Sequence, residues 1–110
     1  MPKFVTIGYG DRKGYDNTEA SIRDAAHAHD ARLVEAGAVM GSAGTPVQVR
    51  NPDATRLETR NAPFMTSSLP VAGFAVIEAK DLAEAVTTVS KTPCAVAHGV
   101  VEVWPLEQAT

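Results

Sequence analysis

The chain has 110 residues, 45% of them hydrophobic and 21% charged, with a net charge of −3 and a single cysteine. That length accommodates one domain, residues 1–110, able to bury roughly two thirds of its unfolded surface, and the ordinary composition excludes a disordered chain. Nucleic acid is excluded as a partner, because backbone phosphates are held by clustered Lys and Arg that this acidic sequence lacks. The apolar run at residues 4–7 is broken by Thr6, too short for a signal-peptide core or a membrane span. A cytoplasmic protein with no membrane contact is expected, and the lone Cys94 agrees with a reducing compartment.

In chain order, the β-branched and aromatic residues 4–7 predict a first strand, stopped by the turn Gly8, Tyr9, Gly10, Asp11. Ile22, Ala25, Ala26, Leu33 and Ala36 recur at helical spacing and predict a first helix between Asp16 and Gly37. Asp16 or Thr18 would cap its start, and Gly37 would take the left-handed conformation at its end. Residues 38–43 and 47–50 read as extended pieces separated by Gly44, Thr45 and Pro46. Asn51, Pro52 and Asp53 then turn the chain into residues 55–60, where Arg56, Glu58 and Arg60 alternate as in a half-exposed hairpin arm.

Residues 61–70 form the longest irregular stretch, and 71–78 predict another strand. Asp81 with Glu84 three residues later forms a capping-box variant that opens the second helix, whose buried stripe is Leu82, Ala85, Val86 and Val89. Pro93 closes that element. Residues 97–104 add the last strand, with His98 just ahead of it.

Two helices are too few to cover both faces of this sheet, yet the strands are apolar on both sides. Phe4 and Thr6 oppose Val5 and Ile7; Ala72, Phe74 and Val76 oppose Val71, Ala75 and Ile77; Val101 and Val103 oppose Val100 and Trp104. An apolar sheet face is rarely left in water, so a two-fold homodimer packed sheet to sheet is expected. The alternative is a monomer whose loop at residues 61–70 folds over that face.

Tyr9-Gly10-Asp11 after a first strand, Glu35-Ala36-Gly37 at a helix end, the Pro63-Phe64 loop and the terminal Ala97-His98-Gly99-Val100-Val101-Glu102-Val103 resemble the YCII-related proteins, in the branch named for a DGPF motif. The resemblance spans nearly the whole chain. It implies a ferredoxin-like α+β sandwich with an antiparallel sheet and two helices, dimerising into an α/β barrel. It also implies small-molecule chemistry or binding in a cleft, with no common reaction established. Here Asn61-Ala62-Pro63-Phe64 replaces Asp-Gly-Pro-Phe, so the carboxylate and the flexible glycine of the motif are missing. The family site pairs a histidine of the first helix with an aspartate after the first strand. Asp11 matches the aspartate, and His27 and His29 both lie near the place of the histidine.

At about 100° per residue, His29 falls within the stripe of Ile22, Ala26 and Leu33, and His27 points away from it. His29 is therefore the favoured proton acceptor, with Asp11 setting its tautomer and stabilising its charged form. The alternative for His29 is a volume-filling histidine that donates one hydrogen bond to a backbone carbonyl. His98 would reach the same cleft from the sheet side, or else end the strand. Tyr9, His27, Phe64, Met65 and Trp104 are candidate ligand contacts, with Phe64 and Met65 in a lid-like loop.

Other motifs fail on spacing. Gly8, Gly10 and Gly14 imitate a dinucleotide loop with its last interval one residue too long, and the hairpin after the helix contradicts a Rossmann unit. His27 and His29 diverge by about 200° around a helix and cannot share a metal ion. Cys94 and His98, if extended, stand about 13 Å apart, too far for thiol activation. Ser42 lacks the first glycine of a nucleophile elbow. Two functions follow: a cofactor-independent lyase, isomerase or hydrolytic enzyme acting on a mainly organic small molecule, or a non-catalytic module that binds a small ligand or a partner.

Overall fold

Alternation and β-branching place the strands, glycine ends the long helix, and short side chains set how closely the layers approach. The computed structural model describes residues 1–107. Four strands, β1 (Lys3–Tyr9), β2 (Val39–Ser42), β5 (Val71–Glu78) and β6 (Val100–Leu106), form one antiparallel sheet in the order β2-β5-β1-β6. Two further strands, β3 (Gln48–Arg50) and β4 (Glu58–Arg60), pair only with each other as an outlying hairpin. The helices are α1 (Arg12–Asp16), α2 (Ala20–Glu35), α3 (Leu82–Val89) and α4 (Pro93–Val96). This mixed α+β arrangement is compatible with a ferredoxin-like fold. The radius of gyration is 15.9 Å, against about 13 Å for a chain of this length packed into a sphere-like domain.

The predicted first helix is α2, and a short helix, α1, precedes it where the sequence reading places none. Neither Asp16 nor Thr18 caps α2, which starts after Glu19 without a side-chain cap bond; Asp11 caps α1, its Oδ1 accepting from the Gly14 N–H at 2.9 Å. Thr18 is buried and donates its hydroxyl to the Gly14 carbonyl, which fastens the corner between α1 and α2. The far end follows the glycine rule. Gly37 has φ 111°, its N–H donates to Val34, and Ala38 donates to Leu33, a Schellman closure.

Asp81 caps α3 as expected, its Oδ1 accepting from Glu84 N–H, while Glu84 reaches the N–H of Lys80 rather than that of the cap residue. Pro93 opens the short α4 instead of closing the segment, since proline fits the first helical position, where no N–H partner is required. The last strand accordingly starts at Val100 and runs to Leu106.

The helix-covered face of the sheet carries the core. Phe4 and Ile77, paired across β1 and β5, pack with Ala79, Ala85 and Val89. Burying Phe4 or Ile77 stabilises the fold by about 1.5–3 kcal/mol each. Among the described residues no large side chain is fully buried. The opposite face leaves Val39 71%, Phe74 49% and Trp104 53% exposed. Residues 65–69 cover only the end of that face, at Tyr9, Val100 and Glu102.

Gly99 joins α4 to β6 where the chain crosses the end of β1, and its N–H donates to Cys94. A Cβ there would be driven into the carbonyl oxygens of Tyr9 and Cys94. Gly99→Ala is expected to destabilise the protein by roughly 1–3 kcal/mol, read as a lower denaturant midpoint at unchanged slope. An unchanged midpoint would mean that this crossing is not tightly packed.

Candidate functional site

Between α2 and the sheet lies a cleft of about 740 Å³. It exists because α2 buries only Ala26, whereas α3 buries both Ala85 and Val89, and because the strands beneath α2 present Gly8, Gly73 and Ala75. Small residues below a stand-off helix leave volume unfilled. Leu33, Met40 and Ile77 supply apolar wall, and Asp11, Tyr15, His27 and Asp30 gather polar groups on the helix side.

Tyr15 from α1 and His27 from α2 meet through the Tyr15 hydroxyl and His27 Nε2 at 2.9 Å. The Arg23 guanidinium sits 4.8 Å from the Tyr15 ring centroid. Asp30 lies one turn beyond His27. Its Oδ1 is shielded from solvent and accepts no hydrogen bond. Burial pushes the Asp30 carboxyl above its usual value, and the nearby His29 and His27 pull it partly back. Cys94 from α4 also lines the cleft, its thiol pushed up by burial and by the Asp30 charge. Its sulfur lies so close to β1 that a Cβ on Gly8 would come within 2.9 Å of it.

The structure divides the expected site residues among several places. Asp11 and His27 line the cleft. His29 does not; its Nε2 stands 2.8 Å from the Thr88 carbonyl and ties α2 to the end of α3, the volume-filling arrangement. His29 and Asp11 are thus not brought together in the cleft. The reason lies in the choice of stripe: Ile22 is 44% exposed, and the buried side of α2 is centred on Ala26 and Asp30, with Arg23 and Leu33 beside them. About that centre, the two histidines flank the stripe on opposite sides, His29 toward α3 and His27 toward Tyr15.

Tyr9 and Met65 belong to a second, smaller cavity of about 400 Å³ on the other face. The Tyr9 hydroxyl donates to Glu102 Oε1 at 2.6 Å and lies 4.0 Å from Met65 Sδ. That bond to a carboxylate, with burial, holds the Tyr9 phenol above its usual value. Phe64 is 77% exposed, with the Arg50 guanidinium 5.7 Å from its ring centroid. Gln48 Nε2 donates to the carbonyls of Ala62 and Pro63, so the loop at residues 61–64 is fastened to the hairpin. Trp104 stands on the open sheet face. His98 is exposed, with φ 63°, at the turn out of α4, and lines neither cavity.

Asp30 was absent from the sequence-based candidates although a signal existed. An acid four residues after Ala26, on the same face as Leu33, is a carboxylate on an apolar stripe. Among the described residues, no group of three or more His, Cys, Asp or Glu is arranged to hold a metal ion, and no helix is long and apolar enough to cross a membrane. In comparisons with known proteins, no family model matches this chain and no curated protein matches it.

His29→Ala is expected to cost about 0.5–1.5 kcal/mol in chemical denaturation, the value of one tertiary hydrogen bond. No loss would show that the Thr88 contact does not hold α2. For Asp30 the sign is reversed. Its raised native pKa contributes stability that is fully present below the unfolded value of 3.8 and is lost as pH rises through the native one. Asp30→Asn is therefore expected to melt above the parent protein at neutral pH, with the gap closing as pH falls below 3.8. Equal melting temperatures at neutral pH would contradict the burial penalty.

Proposed function

We propose that this protein is a cofactor-independent small-molecule enzyme acting in the cleft between α2 and the sheet, and that it is a YCII-related protein of the DGPF branch. The observation that carries the reading is Asp30, a carboxyl with an undonated oxygen and a raised pKa at the edge of an apolar cavity. A carboxyl in such surroundings takes up and releases protons nearer to neutrality than a solvated one. His27 lines the same cavity, held by Tyr15, so the titratable pair of the proposal is His27 and Asp30. His29 keeps α2 in place and Asp11 ends the adjoining loop as a helix cap. The reaction belongs to the lyase, isomerase or hydrolytic type, where proton transfer alone suffices.

The same reading includes a homodimer. Val5, Ile7, Val76, Phe74, Val39 and Trp104 share the sheet face that the helices do not cover, and a second copy presenting the same face would bury it and close the two sheets into a barrel. A binding module without catalysis is the second reading. It is favoured by the engagement of His27 with Tyr15 and of Asp11 with Gly14, which leaves no histidine-carboxylate hydrogen bond among the described residues.

Thermal-shift screening of small organic molecules, repeated on Met40→Trp, tests the cleft: compounds that stabilise the parent protein should fail to stabilise the filled variant. Stabilisation that survives Met40→Trp places binding elsewhere. For each compound that binds, product analysis separates the two readings. Turnover that His27→Ala lowers by about 10²-fold or more supports the enzyme; recovery of every compound unchanged supports the module. Trp104→Glu is expected to sediment as a single subunit at micromolar concentration where the parent is a pair, and a monomeric parent would remove the dimer from the proposal.

A further inference from the structure

The β3–β4 hairpin is an ordered segment with no interior of its own. Within residues 47–60 every residue is exposed except Gln48, which is half-buried. The ladder pairs Gln48 with Arg60, Val49 with Thr59 and Arg50 with Glu58, so the side chains sort onto two faces. The face of Gln48 and Arg50 meets residues 62–64, through the two Gln48 hydrogen bonds and the Arg50 guanidinium beside the Phe64 ring. The other face carries Val49, 66% exposed, flanked by Val47 at 54% and Leu57 at 67%. Among the described residues, the side-chain hydrogen bonds of this segment end within residues 48–63, and none reaches the four-stranded sheet. Two strands alone are marginal in water, and a hairpin gains stability when its apolar face is packed against something else.

We propose that the hairpin is an arm exchanged between two copies of this chain, its Val47, Val49 and Leu57 face lying across β6 on the uncovered sheet face of the second copy. This rests on the sheet-to-sheet homodimer being the state in solution. Two identical sheets stacked about a two-fold axis parallel to the strands put β2 of one across from β6 of the other, since these are the two edges of the order β2-β5-β1-β6. The arm leaves the sheet directly after β2. Residues 43–47, which join β2 to β3, span up to about 17 Å when extended, more than the roughly 10 Å between stacked sheets. On β6 the arm meets Val100 and Trp104, both half-exposed on that face. Charge selects the body of the second copy, not its arm, as the docking place. Arg50, Arg56 and Arg60 outnumber Asp53 and Glu58 and make the hairpin net positive, on a chain whose net charge is −3. Two arms therefore repel each other, whereas each arm and the acidic body opposite attract.

Isotopically labelled protein is mixed with unlabelled protein, and NMR contacts filtered for pairs between the two kinds of copy are recorded beside the dissociation constant from sedimentation. The expected contacts run from the methyl groups of Val47, Val49 and Leu57 in one copy to the Trp104 indole of the other. Leu57→Asp, at a side chain 67% exposed within its own chain, should weaken the pair by about a hundredfold or more, because two-fold symmetry removes the contact twice. Arm methyl groups in contact only with their own copy, or a dissociation constant unchanged in Leu57→Asp, overturn the arm while leaving the dimer. A parent protein that sediments as a single subunit overturns the dimer and the arm together. The filtered contacts are read on the parent sequence, so they decide the matter even if the variant fails to fold.

Discussion

A four-stranded sheet that is apolar on both faces and covered by helices on one is the constraint from which the other features follow. The helix side must supply the core, and it does so with few large residues: Phe4, Ile77 and Val89, with Ala79 and Ala85 letting α3 approach closely. The opposite side retains Phe74, Trp104 and Val39 in water. Hydrocarbon is divided in this way between a thin interior and an outward surface.

The same economy of large side chains creates the cleft. Where α3 sits, alanine and valine close the gap to the sheet; where α2 sits, glycine at positions 8 and 73 and alanine at 75 leave it open. α2 is then held at its edges rather than through its middle. His29 fastens one side to the Thr88 carbonyl, and His27 with Tyr15 fastens the other to α1. Asp30, between these two attachments, lines the cleft with one oxygen shielded from solvent, and burial holds its carboxyl above the usual value. Packing and electrostatics in this part of the molecule have one origin.

The strands, the hairpin, the cap at Asp81 and the closure at Gly37 were readable because each depends on local chemistry: alternation, a carboxylate over a free N–H, a residue without a Cβ. The short helix α1 was not, since residues 12–16 carry no apolar periodicity and the corner into α2 is made by the buried Thr18 bond to Gly14. At the site, the sequence pairs Asp11 with His29 and offers His27 only as a ligand contact; Asp11 and His27 both line the cleft, Asp11 as a helix cap. The preference for His29 failed to place it in the cleft because Ile22 was counted as inward, which turned the helical wheel toward α3. Which side of an amphipathic helix faces a cavity, and which faces a neighbouring helix, is decided by tertiary packing that periodicity does not record. Tyr9 was expected beside a ligand; its partner Glu102, 93 positions away in sequence, could be found only once β1 and β6 were paired.

Trp104 is the single tryptophan of the chain and stands half in water on the uncovered face, opposite Val5. Indole emission responds to the polarity around the ring, so the intrinsic fluorescence of this protein reports on one surface alone. Blue-shifted light signals a dry environment over β6 and red-shifted light a wet one, with no dye or label introduced. This half-exposed side chain serves as the optical gauge of that face.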